Sequence, residues 1–271
     1  MQDILVHAAR HRERDPAAAH AARVAAALGA SLTAVHVLPP LPVLPEYDVP
    51  GVLADYTAWR EGEERAARAA GPVFEAWASS LGVPDARWVV ADGHLPALLR
   101  HAGRWHDLLV LGLGGDDPWR SGTGVAELVL SSALPCLLVP ADAGAAEPTQ
   151  ACVAMAWNGA TEAIGAVHAA LPLLRVARRV VVLAGEPVPA PAGMVPFELD
   201  GWAARHGVHL EYRMLDAAED TGAALLAAAG AVGADLLVAG AYGHSRLAEW
   251  ALGGVTRHLV RHSAIPLLLR H

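Results

Sequence analysis

Short apolar runs alternate with longer stretches of helical spacing along the whole chain. The first run, DILVHAA from Asp3 to Ala9, leads into the alanine-rich RDPAAAHAARVAAALGA. That pattern predicts a helix with Asp15 as its N-cap and Gly29 at its end. LTAVHVL predicts a second strand, and PPLPVLPEYDVPG, from Pro39 to Gly51, a proline-rich connection to a long helix around Ala54–Leu81. ARWVVADG reads as a strand ending at Asp92, whose carboxylate can cap the helix in HLPALLRHAGRW. HDLLVLG and LPCLLVP supply two more strands. A second series follows: strands CVAMAW, RVVVLAG, LEYRML, DLLVAG and PLLLR, with helices near Thr161–Ala177, Glu198–His206, Thr221–Val232 and Gly253–His262.

The two series are copies of one design. HDLLVLGLGG at His106–Gly115 matches ADLLVAGAYG at Ala234–Gly243, and LSSALPCLLVP at Leu130–Pro140 matches RHSAIPLLLRH at Arg261–His271, the first half being a few residues shorter between the two. Internal repetition of this kind fixes architecture before any single motif does. Residues 1–140 form one domain, the polar ADAGAAEPTQ at 141–150 a linker, and residues 151–271 the second domain. Continuous apolar strands separated by helices require a parallel sheet covered on both faces. The expected fold is therefore α/β, with two tandem five-stranded doubly wound domains. In such folds a ligand crevice opens at the carboxyl ends of the strands where strand order reverses. The loops after the first and fourth strand of each half are the places to look.

Composition narrows the chemistry. A net charge of −8 opposes a nucleic-acid footprint, which needs a basic face. It does not oppose a small anion, because backbone N–H groups bind anions without net charge. All 20 basic residues are arginine, so a P-loop lysine and a Schiff-base lysine are both excluded. The two cysteines, Cys136 and Cys152, have no metal-type spacing. No signal-peptide layout and no bilayer-length apolar run are present, so a cytoplasmic protein with no membrane partner is expected.

The fourth loop of the second half, GAYGHSRLAEWALGGVTRHLV, carries the clearest chemical signal. Glycine lets the backbone approach a ligand closely, and a helix start adds free N–H donors and the positive end of a dipole. Gly240 and Gly243 would shape the loop. Gly253, Gly254, Val255 and Thr256 would form the helix start, with the Thr256 hydroxyl as an added donor.

The spacing G-x2-G-x9-G, after DLLVAG and before a helix and a proline-led apolar strand, resembles the universal stress protein family. AWNGATEAIGAV at Ala156–Val167 does so too. The resemblance spans nearly the whole chain as two tandem domains and is closer in the second. It implies a five-stranded parallel sheet, a last strand that pairs domains as a pseudo-dimer, and a family in which some members bind ATP and others do not. In the binders an Asp ends the first strand, backbone at the end of the second strand contacts adenine, and the glycine motif with a following Ser or Thr holds the phosphates. On this chain those positions are Asn158, flanked by Ala156 and Trp157; Leu183; and Gly240, Gly243, His244, Gly253, Gly254, Val255 and Thr256. Asn replaces the acid, and Gly254 replaces the hydroxyl residue.

The first half departs further. Its acid position is Ala9, and its loop has six residues between Gly115 and Gly122 rather than nine, among them Asp116 and Asp117. At about 5 Å and an effective dielectric near 20, each carboxylate–phosphate charge pair repels by roughly 3 kcal/mol. No cofactor is expected there.

Other clusters carry less. His258 and His262 share a helix face but lack a third ligand, and no metal is expected. Trp88, Trp105, Trp157 and Trp250 read as core or interface packing. No Gly-x-Ser-x-Gly elbow and no nucleophile with an evident base occur, so no catalytic residue is assigned. Three readings remain open: a regulatory protein holding ATP with Mg or another small anionic ligand in the second domain, a partner-binding module without nucleotide, and a slow Mg-dependent hydrolase. Intrachain pairing through the last strands is expected, and a further homodimer is compatible with the sequence.

Overall fold

The computed structural model describes residues 1–11, 15–38, 52–114, 123–132, 134–141, 143, 151–185, 198–215, 221–241 and 254–271. The first half runs β1 (Asp3–His7), α1 (Pro16–Leu28), β2 (Ser31–Leu38), α2 (Val52–Ser80), β3 (Ala86–Asp92), α3 (Leu95–Gly103), β4 (Leu108–Leu113), α4 (Thr123–Ser131) and β5 (Cys136–Pro140). The second runs β6 (Cys152–Trp157), α5 (Thr161–Val176), β7 (Arg179–Ala184), α6 (Leu199–Arg205), β8 (Leu210–Met214), α7 (Thr221–Ala231), β9 (Leu236–Gly240), α8 (Gly254–His262) and β10 (Leu267–Arg270). Helix α4 is an element the sequence pattern alone does not delimit.

All ten strands join one sheet in the order β3-β2-β1-β4-β5-β10-β9-β6-β7-β8. Each half is parallel within itself. The halves meet through the antiparallel pair β5–β10, where Leu137 faces Leu268. The last strand of each copy thus covers the exposed edge of the other, which removes the unpaired row of N–H and C=O groups that an edge strand presents.

Alternate residues of the central strands feed two cores, one on each face of the sheet. On one face Val6, Val110, Leu137, Leu268, Val238 and Met155 pack beneath α1 and α5. On the other, Leu109, Leu138, Leu267 and Leu237 pack beneath the helices that include α8, which contributes Leu259. Both cores run without a break across the junction. Each fully buried aliphatic side chain contributes about 1.5–3 kcal/mol, so the halves are held by the same force that holds each fold.

The repeated Asp of each half does the same work in both. The Asp107 carboxylate accepts the Gln2 N–H and the Asp3 N–H, and Asp235 accepts the Ala151 N–H at 2.7 Å. Each ties the start of its fourth strand to the start of its first. The bond from Gln2, ahead of the other causes, holds the Asp107 carboxyl below the usual range.

Two expectations need correction. Asp15 caps α1 as expected, accepting from Ala18, and Gly29 ends it at φ 62° in the left-handed region. Asp92, however, does not cap α3: the N-cap is His94 with no side-chain bond, and the Asp92 carboxylate pairs with Arg60 on α2. An arginine on a neighbouring helix competes with the local cap and wins, since a charged donor makes the stronger hydrogen bond. Trp105, expected to pack, is 80% exposed. Trp88 packs as expected, its Nε1–H bonded to the Ala67 carbonyl and its ring beside Phe74.

Candidate functional site

In the second half, β6 is flanked by β7 on one side and β9 on the other. The order of strands reverses there, and the chain leaves β6 into α5 on one face and β9 toward α8 on the opposite face. A crevice between the two helix starts follows from this topology.

Ala156 and Trp157 close β6, half-buried against opposite cores. Asn158 is exposed, and its Oδ1 accepts the Ala160 N–H at 3.0 Å. Its neighbour Gly159 takes φ 72°, so this pair makes the turn into α5. The N-cap of α5 is Ala160, which offers no side-chain bond. Leu183 lies beside Ala156 in register. Its side chain is buried in the core, which leaves only its backbone to address a ligand.

Gly240 ends β9. A β-carbon there would stand 2.6 Å from the Ala163 nitrogen and 2.6 Å from the Glu162 carbonyl carbon. Only glycine lets α5 come this close to the strand. Gly254, the first residue of α8, is different: among the described residues a β-carbon there would meet nothing within 4 Å. Val255 is exposed, whereas Thr256 is buried, at 5% exposure, on the inner face of α8 with Leu259. Gly243, His244 and Gly253 lie outside the described residues, as do Ser245, Arg246, Trp250, Gly115–Gly122 and the Pro39–Gly51 connection. The structure therefore brings Ala156, Trp157, Asn158, Leu183 and Gly240 together at the carboxyl ends of three adjacent strands, with Gly254 opening the helix that follows.

The corresponding place in the first half holds the expected cap, Asp15, and a group of histidines that the sequence pattern does not single out. The Asp15 carboxylate, nearly buried, accepts from Ala18 at 2.9 Å and from Arg10 at 3.2 Å. Burial pushes its pKa up, against the opposing pull of N–H groups at Ala18, Arg10, Ala9 and Ala17. The donors that face the crevice after β1 are thus bound to a carboxylate of the chain itself. Beside it, His36 Nδ1 donates to the Ala8 carbonyl at 2.8 Å. The His36 ring lies 4.8 Å from that of His11 and stacks at 6.1 Å on Trp88. His11 Nε2 stands 3.7 Å from Glu63 on α2. His7 ends β1, and burial followed by the nearby His36 charge lowers its pKa from 6.5 to about 4. Alternation in LTAVHVL places His36 on a face, but nothing local to it names His11 or Glu63 as neighbours.

On α8 the His258 and His262 rings lie 4.3 Å apart, and His262 Nδ1 donates to the His258 carbonyl at 2.9 Å. Among the described residues no group of three or more His, Cys, Asp or Glu side chains is placed to hold a metal, and no helix is long and apolar enough to cross a membrane.

Residues 1–140 and 159–271 each match the family model described as the universal stress protein family. Among solved structures, a universal stress protein from Archaeoglobus fulgidus DSM 4304 superposes with a TM-score of 0.68 at 13% identity, over 99% of this chain and 95% of that one. A functionally unknown protein from Pseudomonas aeruginosa PAO1 gives 0.58 at 13% identity, over 100% and 92%. The cytoplasmic domain of a prokaryotic cation chloride cotransporter gives 0.53 at 13% identity, over 99% and 94%. At such identities the likeness speaks for fold alone, and the cotransporter domain illustrates how different the settings of one fold can be. No curated protein matches the chain.

Proposed function

The chain belongs to the universal stress protein family, and from that premise we propose that it is a non-catalytic stress-response protein whose second half holds a small anionic ligand, ATP or a related nucleotide. The first half holds none. The domains of this reading are residues 1–140 and 151–271, joined by a linker at 141–150, and the setting is cytoplasmic.

One contrast carries the reading. After β1, the helix start is satisfied by the buried carboxylate of Asp15. After β6, the helix start has no side-chain cap, and across the same crevice α8 begins at a glycine that no described residue obstructs. Uncapped N–H donors at the start of α5, beside the glycine that opens α8, are a physical fit to phosphate oxygens. Trp157, Asn158 and the backbone at Leu183 would then address the rest of a nucleotide, and Gly243, His244, Gly253, Val255 and Thr256 would complete the phosphate side. Magnesium would share charge with the phosphates. Asn158 supplies no carboxylate to hold it, so the chain's contribution is to bind and orient the anion. For the same reason a hydrolase is not adopted.

A second reading, a partner-binding module without nucleotide, is favoured by two observations. Gly240 is required by packing whatever the ligand, and the Thr256 side chain points inward. Calorimetric titration with ATP, ADP and inorganic phosphate, with and without Mg, separates the two. Saturable binding of a nucleotide at one site per chain supports the first reading. No heat and no thermal shift with any of them supports the second.

A further inference from the structure

Helix α1 is built of alanine where it meets the sheet, and Ala17, Ala18, Ala21, Ala22, Val24 and Ala25 sink into the core that both halves share. It packs on β1, β2, β4 and β5 of its own half and touches α5 of the other. One residue on it breaks the pattern. His20 is 5% exposed, and its Nδ1 is buried with no hydrogen-bond partner among the described residues. A buried polar atom left so costs stability that an alanine or leucine there would not.

The charges acting on this ring come from both halves. Arg23 lies one turn along on α1, and Asp235 stands at the start of β9 in the second half. Of the other elements packed on α1, β4 brings no ionisable group, β5 brings Cys136, β2 His36, β1 Asp3 and His7, and α5 Glu162, His168 and Arg175.

We propose that His20 is a proton-sensitive lock at the junction of the two halves: as a neutral ring it completes the packing of α1 against the second half, and as a cation it loosens that packing. Burial, followed by repulsion from Arg23, outweighs the attraction of Asp235 and lowers the His20 pKa from 6.5 to about 4. The folded state therefore holds fewer protons than the unfolded state between these values. Stability is complete above about pH 6.5 and is lost as the pH falls toward 4.

The test is urea unfolding with hydrogen exchange at pH 7.5 and 5.0 on the whole chain, comparing wild type with His20→Leu, and with His20→Gln should the leucine variant not fold. The two pKa values make the His20 share of the pH 7.5 to 5.0 change about 30-fold in the folding constant. The wild type should lose at least tenfold more than the variant, with the excess loss of protection in the amides of α1 and α5. A difference below tenfold overturns the proposal. So does an excess spread equally over β2 and β3, because the ring would then stabilise the first half and not the junction.

Discussion

A β-carbon on Gly240 would stand 2.6 Å from the backbone nitrogen of Ala163. The glycine that looks most like part of a phosphate cradle is thus fixed by the approach of α5 to β9. Of the three α5 atoms it would clash with, two are backbone and the third is the Glu162 β-carbon, so no side-chain rotation relieves the contact. Gly240→Ala should therefore destabilise the protein by about 1–3 kcal/mol, the usual cost of overpacking. Urea unfolding in the absence of any nucleotide checks it. A change below about 0.5 kcal/mol would show that α5 yields more easily than its packing implies.

Gly254 gives the opposite expectation. Its would-be β-carbon meets nothing within 4 Å among the described residues, so Gly254→Ser should leave stability within about 0.5 kcal/mol. The added hydroxyl donor at the start of α8 should tighten phosphate or nucleotide binding several-fold. Calorimetry on both proteins reads the effect, and unchanged or weaker affinity would argue that this helix start does not face the ligand.

Acid should weaken the fold through His7 as well. Its pKa falls from 6.5 in the unfolded chain to about 4 when buried at the end of β1. The folded state then binds fewer protons, so the contribution is complete above about pH 6.5 and disappears as the pH approaches 4, by about 3 kcal/mol in all. His7→Gln should flatten the stability profile across that window. Parallel profiles for the two proteins would contradict the buried neutral imidazole.

The junction offers a direct mechanical test. Leu268 faces Leu137 across the antiparallel pair, and both side chains are buried in a core shared by the two halves. Leu268→Ala should cost about 2–5 kcal/mol. The loss should appear as one cooperative transition for the whole chain, because the cores do not divide at the junction. Two separated transitions in the wild type would show that the halves unfold independently.

Much of the fold is legible because the central strands are buried on both faces and read as unbroken apolar runs. DLLVAG and HDLLVLG announce both the strands and the repeat. What stays hidden depends on contacts between distant segments. Asp92 looks like a cap until Arg60 on α2 is seen beside it. Gly240 looks like ligand chemistry until Ala163 is seen against it. His11, His36 and Glu63 come from a loop, a strand and a helix, and only the topology gathers them. Asp15 is legible as a cap, but not as a carboxylate that also takes a donor from the turn after β1.

The central claim is one anionic ligand, held by the second half alone. The most direct measurement is to denature freshly purified protein and identify and count any released nucleotide by chromatography and mass spectrometry, then repeat after loading with Mg-ATP. The expected result is one adenine nucleotide per chain at saturation. Two per chain would mean that Asp15 and the histidine cluster do not close the first crevice. None, even after loading, would contradict the claim and leave Gly240 and its neighbours as packing alone.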